Sequence, residues 1–368
     1  HLEKAAYIAK NLRPGPVWID VPLDIQGAMV EEALLESYTP GRESKQLGKE
    51  TLALKIDKVI SLLNQSQRPV ILAGNGIRLA GAKEDFIKLI RALKVPVLTT
   101  WRSVDMLRED DPYFMGRPGS IGQRYANFIQ QNADMIICIG ARLDFPQVGY
   151  SYENFARKAK KVVVDIDENE INKLKMDIEV PLAVDAGDFI GVFLSNIKKV
   201  INKDRKIWLK RCKSWKDKYP VVLKEYWQED KFVNTYCLID ALSQAMSKDE
   251  ILIPGSSGSC SEITLQAFRV KNGQRVVNNP GLGAMGFGLP AAIGASLAYN
   301  RERTVVSVLG DGGFQLNIQE LETIARLCLP IKFFVLNNQG YGSIKAMQSS
   351  HFNGHFVGAD KASGLTFP

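Results

Sequence analysis

A strand–helix–strand succession near the end of the chain constrains its fold more than any other feature. "TVVSVLGD" (304–311) is β-branched and continuously apolar, without the alternation of a strand that keeps one face in water. Such a run has to be covered on both faces, which is the place of a central parallel strand. "NIQELETIARLCLP" (317–330) carries Ile318, Leu321, Ile324, Ala325 and Cys328 on one stripe and predicts a helix ended by Pro330. "IKFFVLNN" (331–338) is a second strand. Joined by short turns, the three make one right-handed βαβ unit.

The same rhythm runs through the middle of the chain. "PVILAGNG" (69–76), "VPVLTT" (95–100), "ADMIICIGARL" (133–143) and "KVVVDIDENE" (161–170) read as strands, with helical stretches such as "AKEDFIKLIRALK" (82–94) between them. The predicted class is α/β: two doubly wound parallel-sheet domains plus the tail of a third α/β domain. The opening "LEKAAYIAKNLR" (2–13) reads as an amphipathic helix and "GPVWIDVPLDIQ" (15–26) as a buried strand with a loop behind it. One helix and one strand cannot bury a core, so residues 1–40 are expected to be the C-terminal remnant of a domain that begins upstream, with a linker over 31–50. Residues 41–205 then form a middle Rossmann-like domain, 206–227 a connecting helix, and 228–368 a last domain that is expected to be cut short.

Composition narrows the function classes. The net charge of +7 and pI near 9.0 draw heavily on 197–220, where acids are interspersed and no nucleic-acid motif is present. That stretch reads as a solvated helical face rather than a nucleic-acid patch. No apolar run is long enough to span a bilayer, and the charged, apolar alternation of the first residues reads as no signal peptide. The five cysteines stand singly, with no CxxC pair, which suits a reducing cytoplasm. His351 and His355 lack the surroundings of a zinc pair and read as surface residues.

The chemistry is expected at the strand ends. Parallel neighbours end on the same side of a sheet, so Asp311 and the pair Asn337–Asn338 should emerge together. A carboxylate, an amide oxygen and a nearby carbonyl are hard ligands that suit octahedral Mg²⁺ and leave room for phosphate oxygens. The glycines of "GDGG" let backbone approach a phosphate. Asp311 as a simple helix cap is the bland alternative, but a cap does not call for Asn-Asn after the next strand. "ILAGNGIRLAG" (71–81) imitates a dinucleotide turn without the GxGxxG spacing and reads as structural.

"GDGGFQ…VLNNQGYGS" resembles the diphosphate-binding signature of thiamine diphosphate (ThDP) enzymes. "GLGAMGFGLPAAIGA" (281–295) and "GPVWIDVPLDIQ" look like the acetolactate synthase large-subunit branch of that family. The resemblance covers nearly the whole chain and implies pyrimidine-binding, middle and diphosphate-binding domains. By it, Asp311 and Asn338 would bind Mg²⁺ through side chains and Gly340 through its carbonyl. Gly312, Gly313 and amides near Tyr341 would hold the diphosphate, and Gly258, Ser259 and Cys260 its far end. Met285, in the stretch that includes Gly283, would prop the cofactor in its bent shape. The cofactor supplies the carbanion chemistry; the protein orients it and excludes water.

The resemblance further implies decarboxylation of a pyruvate-like 2-keto acid with carboligation to an acceptor carbonyl, in a homodimer or tetramer whose site lies between subunits. The family's catalytic glutamate belongs to the pyrimidine domain and has no match in 1–26, where Glu3 sits on the predicted helix. The chain by itself is therefore expected not to turn over. FAD is left open. Arg142 and Asp165 match the branch's flavin stretches, but "ARLDFPQVGY" lacks its second arginine and "GRPGSIGQRYAN" replaces its Gly-Met-His-Gly. Alternatives are a plain 2-keto acid decarboxylase, an enzyme adding a two-carbon unit to a nucleotide-linked keto sugar, a non-catalytic assembly partner, and, from another class, an NAD-dependent dehydrogenase.

Overall fold

The computed structural model describes residues 1–11, 13–41 and 47–365. Five strands, β1 (Pro69–Ala73), β2 (Val97–Thr99), β3 (Met135–Ile139), β4 (Lys160–Asp165) and β5 (Val180–Ala183), form a sheet in the order β2-β1-β3-β4-β5. Every pairing is parallel. Side chains alternate across a strand, so both faces are apolar. Ile71, Ala73, Ile137, Ile139 and Val162 pack under the helices Lys49–Gln65, Lys83–Leu93 and Ala186–Ser195. Val70, Leu72, Ile136, Cys138 and Val163 pack under Arg124–Asn132 and Lys206–Lys218.

The last of these helices is the cationic stretch. Trp208 and Cys212 are its buried residues, and the Trp208 indole donates to the Pro69 carbonyl at 3.1 Å. Its lysines and Arg211 project elsewhere, Arg211 lying over the Trp215 ring at 4.8 Å. One apolar stripe under a basic face is an ordinary amphipathic helix.

Four strands, β6 (Ile251–Pro254), β7 (Arg275–Val276), β8 (Val305–Gly310) and β9 (Ile331–Leu336), form the second sheet, again all parallel, in the order β7-β6-β8-β9. The "VVSVL" run occupies an interior strand, as expected. Val305 and Val308 are 0% exposed and Val306 and Leu309 2%, each buried side chain contributing about 1.5–3 kcal/mol. The helix Gly288–Ala298 covers one face, and Ile239, Leu242, Leu265 and Phe268 the other.

Two sequence expectations fail here. The crossover from β8 to β9 is not one helix but Asp311–Gln315, a 3-10 turn Ile318–Glu320 and Leu321–Arg326. Asn317 leaves helical geometry and donates its side-chain amide to the Gly286 carbonyl at 2.9 Å, a long-range contact with the turn before Gly288–Ala298. The stripe is accordingly not core: Ile318 and Leu321 are over a third exposed and Cys328 is exposed. The strand read at 15–26 is likewise missing. Trp18 and Leu23 are 88% and 83% exposed, and the segment pairs with no strand among the described residues. β-Propensity expresses a fit to a half-buried pleated surface, and among the described residues no such surface faces this segment. The helix Leu2–Lys10 does form, with no residue buried. Part of the linker, 42–46, and the last residues, 366–368, lie outside the described residues.

A polar clasp joins the two sheets. The Asp105 side chain, 0% exposed, accepts from Arg78 at 2.6 Å, from Arg275, and from the Val276 amide at 3.1 Å. Trp101 and Val104 enter the second sheet's core, and Asn278 donates to the Trp101 carbonyl at 2.8 Å.

Candidate functional site

Strand register sets the site. Gly310 pairs with Leu336 at the end of the β8–β9 ladder, so Asp311 and Asn337 leave the sheet side by side. Asp311 is 9% exposed. Its Oδ1 accepts from the Gly312 amide at 2.8 Å and its Oδ2 from the Gly340 amide at 3.2 Å. No lysine or arginine pairs with it among the described residues. A buried carboxylate held only by two neutral amides is costly unless a cation approaches. The donors around it are an acid, the Asn338 amide and backbone carbonyls. Among the described residues no group of three His, Cys, Asp or Glu side chains is arranged to hold a metal, so an ion here would draw on amide and carbonyl oxygens, a set that suits Mg²⁺.

Asp311 and Asn338 line one cavity of about 400 Å³, together with Gly258, Ser259, Cys260, Met285, Gly312, Gly313, Gly340 and Tyr341. The ends of β6, β8 and β9 contribute three walls, and the "GAMG" turn before Gly288–Ala298 the fourth. Of the residues read as cofactor-binding, Gly283 is not in the lining. It sits behind the 255–261 loop, where a Cβ would be 3.4 Å from the Ser256 carbonyl oxygen. Cys260 is buried and donates to the Ser257 carbonyl at 3.0 Å. Burial pushes its thiol pKa up, so it stays neutral and shapes the loop rather than carrying charge.

Some amides expected to be free are taken. The Gly312 amide serves Asp311, and the Tyr341 amide donates to the Ala359 carbonyl at 2.9 Å. The sequence reading missed Gly342, Ser343 and Ile344, which also line the cavity and open the helix Gly342–His351. First-turn amides have no acceptor within their own helix and are available to an anion. The signal was present: "GYGS" directly before a run with helical spacing. Glu3 is engaged elsewhere, its carboxylate accepting from the Tyr38 amide at 2.6 Å.

The dinucleotide-like turn is filled by backbone. A Cβ on Gly74 would lie 2.0 Å from the Gly140 carbonyl oxygen, and one on Gly76 2.7 Å from the Gly140 Cα. These glycines permit two chain segments to touch, as the structural reading expected. Near the same strand ends, Arg142 contacts Glu170 at 3.3 Å, and Arg13 bridges Asp167 at 2.6 Å and Glu170 at 2.9 Å. Asp165 is pushed up by burial. The groups matched to the branch's flavin stretches are thus partnered within the chain.

The family profile of the thiamine pyrophosphate enzyme central domain matches residues 56–192, and that of the thiamine pyrophosphate enzyme C-terminal TPP-binding domain matches 256–367. The acetolactate synthase large subunit of Cyanidium caldarium is 32% identical, over 99% of this chain and 62% of that protein. The probable acetolactate synthase large subunit of Methanocaldococcus jannaschii is 32% identical, over 95% of this chain and 59% of that protein. Acetolactate synthase isozyme 1 large subunit of Escherichia coli is also 32% identical, over 95% and 59%. The chain spans about three fifths of the length of these relatives.

Proposed function

The chain belongs to the thiamine pyrophosphate enzyme family, and from that premise we propose that it serves an acetolactate synthase-like carboligase dependent on ThDP and Mg²⁺. The substrate is a pyruvate-like 2-keto acid, decarboxylated and joined to an acceptor carbonyl. The observation that carries this reading is the buried Asp311 carboxylate. It has no cationic partner among the described residues and shares a cavity with the Asn338 amide and the Gly340 backbone.

When bound, ThDP would supply the electron sink that 2-keto acid decarboxylation needs. The chain's residues bind and orient. Asp311, the Asn338 side-chain oxygen and the Gly340 carbonyl would hold Mg²⁺. The Gly313 amide and the first-turn amides of Gly342–His351 take phosphate oxygens. Gly258, Ser259 and Cys260 close the other end of the cavity. Met285, 39% exposed in the lining, would offer the cofactor a soft, adaptable apolar support. Carboligation, rather than simple decarboxylation, rests on the likeness to acetolactate synthase large subunits. Oligomerisation around the site and a cytoplasmic location are part of the same proposal; no described helix is long and apolar enough to cross a membrane.

The test is product analysis of the complete gene product supplied with pyruvate, ThDP and Mg²⁺. Acetolactate that disappears on chelation supports the reading. Acetaldehyde as the only product replaces carboligation with decarboxylation, and hydride transfer to NAD⁺ without any ThDP effect overturns it.

A further inference from the structure

The stretch "GRPGSIGQRYAN" (116–127), which departs from the branch's pattern, crosses to the other domain. Arg117 is 1% exposed. Its Nη1 donates to the carbonyls of Leu265 at 3.1 Å and Gln266 at 3.3 Å, and its Nη2 to that of Phe268 at 3.0 Å. These carbonyls end the helix Glu262–Ala267, where a helix lacks internal donors. A guanidinium presents a planar fork of donors and serves several such acceptors at once. Gln123 adds a bond from Nε2 to the Gln266 carbonyl at 2.7 Å. Its orientation is set by the Arg117 amide and the Tyr125 hydroxyl, which both donate to its Oε1 at 2.8 Å. Glu109 lies 3.4 Å from Nη2, and the Phe114 ring 5.4 Å from the guanidinium carbon.

At its other end this helix continues directly from the loop Gly255–Ser261, which walls the cofactor cavity. Six residues at about 1.5 Å each make a rod of roughly 9 Å, short enough to transmit displacement from one end to the other. We propose that Arg117 is a positioning residue for the cofactor loop: by holding the far end of Glu262–Ala267 it sets the loop, so the first-sheet domain controls cofactor affinity. This rests on the assignment of the cavity to ThDP. Arg117 and Gln123 serve the same helix end.

The experiment compares the complete gene product with Arg117→Met and, as a control in the same interface, Arg275→Met. Arg275 pairs with Asp105 and begins β7 beside Ile251, the end of the sheet opposite the loop. ThDP affinity in the presence of Mg²⁺ and hydrogen–deuterium exchange over 255–267 are read together. For Arg117→Met the dissociation constant is expected to rise about tenfold, the scale of lost charge-assisted hydrogen bonds. Turnover at saturating cofactor stays near that of the parent, and 255–267 exchanges faster. Arg275→Met lowers the melting temperature and moves neither readout. Unchanged affinity and exchange in Arg117→Met overturn the proposal, as does an equal affinity loss in Arg275→Met. A parent protein that binds no ThDP overturns the cofactor assignment itself, and this proposal with it. If Arg117→Met does not fold, Arg117→Lys and Gln123→Leu are judged by the same criteria.

Discussion

The Gly340 amide donates to Asp311 Oδ2 at 3.2 Å, tying the loop after β9 to the residue that follows β8. This contact orients a carboxylate at the mouth of a sheet without neutralising it. Backbone amides fix direction at modest net free energy, whereas a buried charge demands a counterion. The geometry therefore presents an acid poised for a cation, next to amides available to an anion.

Asp311→Asn should separate stability from binding. In the free protein the change removes an uncompensated buried charge, so the melting temperature should hold or rise. The parent should gain about 2.7 kcal/mol at a hundredfold excess of ThDP–Mg²⁺ over its dissociation constant. The variant should gain almost none. Thermal scans with and without ligand check both halves.

Gly286→Ala should be costly. Gly286 has φ +86°, and an added Cβ would lie 2.5 Å from Asn317 Nδ2. The left-handed backbone and the collision together predict a loss of about 1–3 kcal/mol. Met285 should be displaced with it, weakening ThDP binding. Denaturant melts give the first quantity and calorimetric titration the second.

Asp105→Ala should loosen the clasp between the sheets. It leaves Arg78 and Arg275 without their shared carboxylate, and breaking a buried pair costs about 3–5 kcal/mol. A urea transition that shifts to lower concentration, or divides into two, is the expected result; an unchanged midpoint refutes it.

Acid should spare the turn at Lys361–Ser363, which Asp360 caps, until low pH. The Lys345 bond, with those from Ser363, holds Asp360 down to about 2 from an ordinary 3.8. A depressed folded pKa means that its contribution is complete above about 3.8 and is lost as pH falls through about 2. Hydrogen exchange over 357–365 should show protection falling in that window. Asp360→Asn should remove the pH dependence and lower protection near neutrality.

Much of the site was legible because it rests on local rules. A β-branched run with no polar alternation can only be an interior strand, and two parallel strands must end together. From that, Asp311 and Asn338 converge; Gly340 follows only from the family resemblance. Gly342, Ser343 and Ile344 were equally available to a reading that looked for unpaired amides after "GYG". The crossover was misread because a periodic stripe says nothing of the Asn317 side chain reaching Gly286, a contact made only once the chain has folded.

What the sequence determined alone is the set of elements whose signal lies within a few neighbours: most of the strands, most of the helices, and the carboxylate and amide at the strand tips. Tertiary structure decided what depends on partners far along the chain. Residues 15–26 carry strand-forming side chains, yet among the described residues no strand edge pairs with them. Arg117 looks like a surface arginine in a Gly- and Pro-containing loop, yet three carbonyls from the other domain make it one of the most buried side chains. Hydrogen-bond acceptors and ladder partners are supplied by folding, and a linear pattern cannot show which of them will arrive.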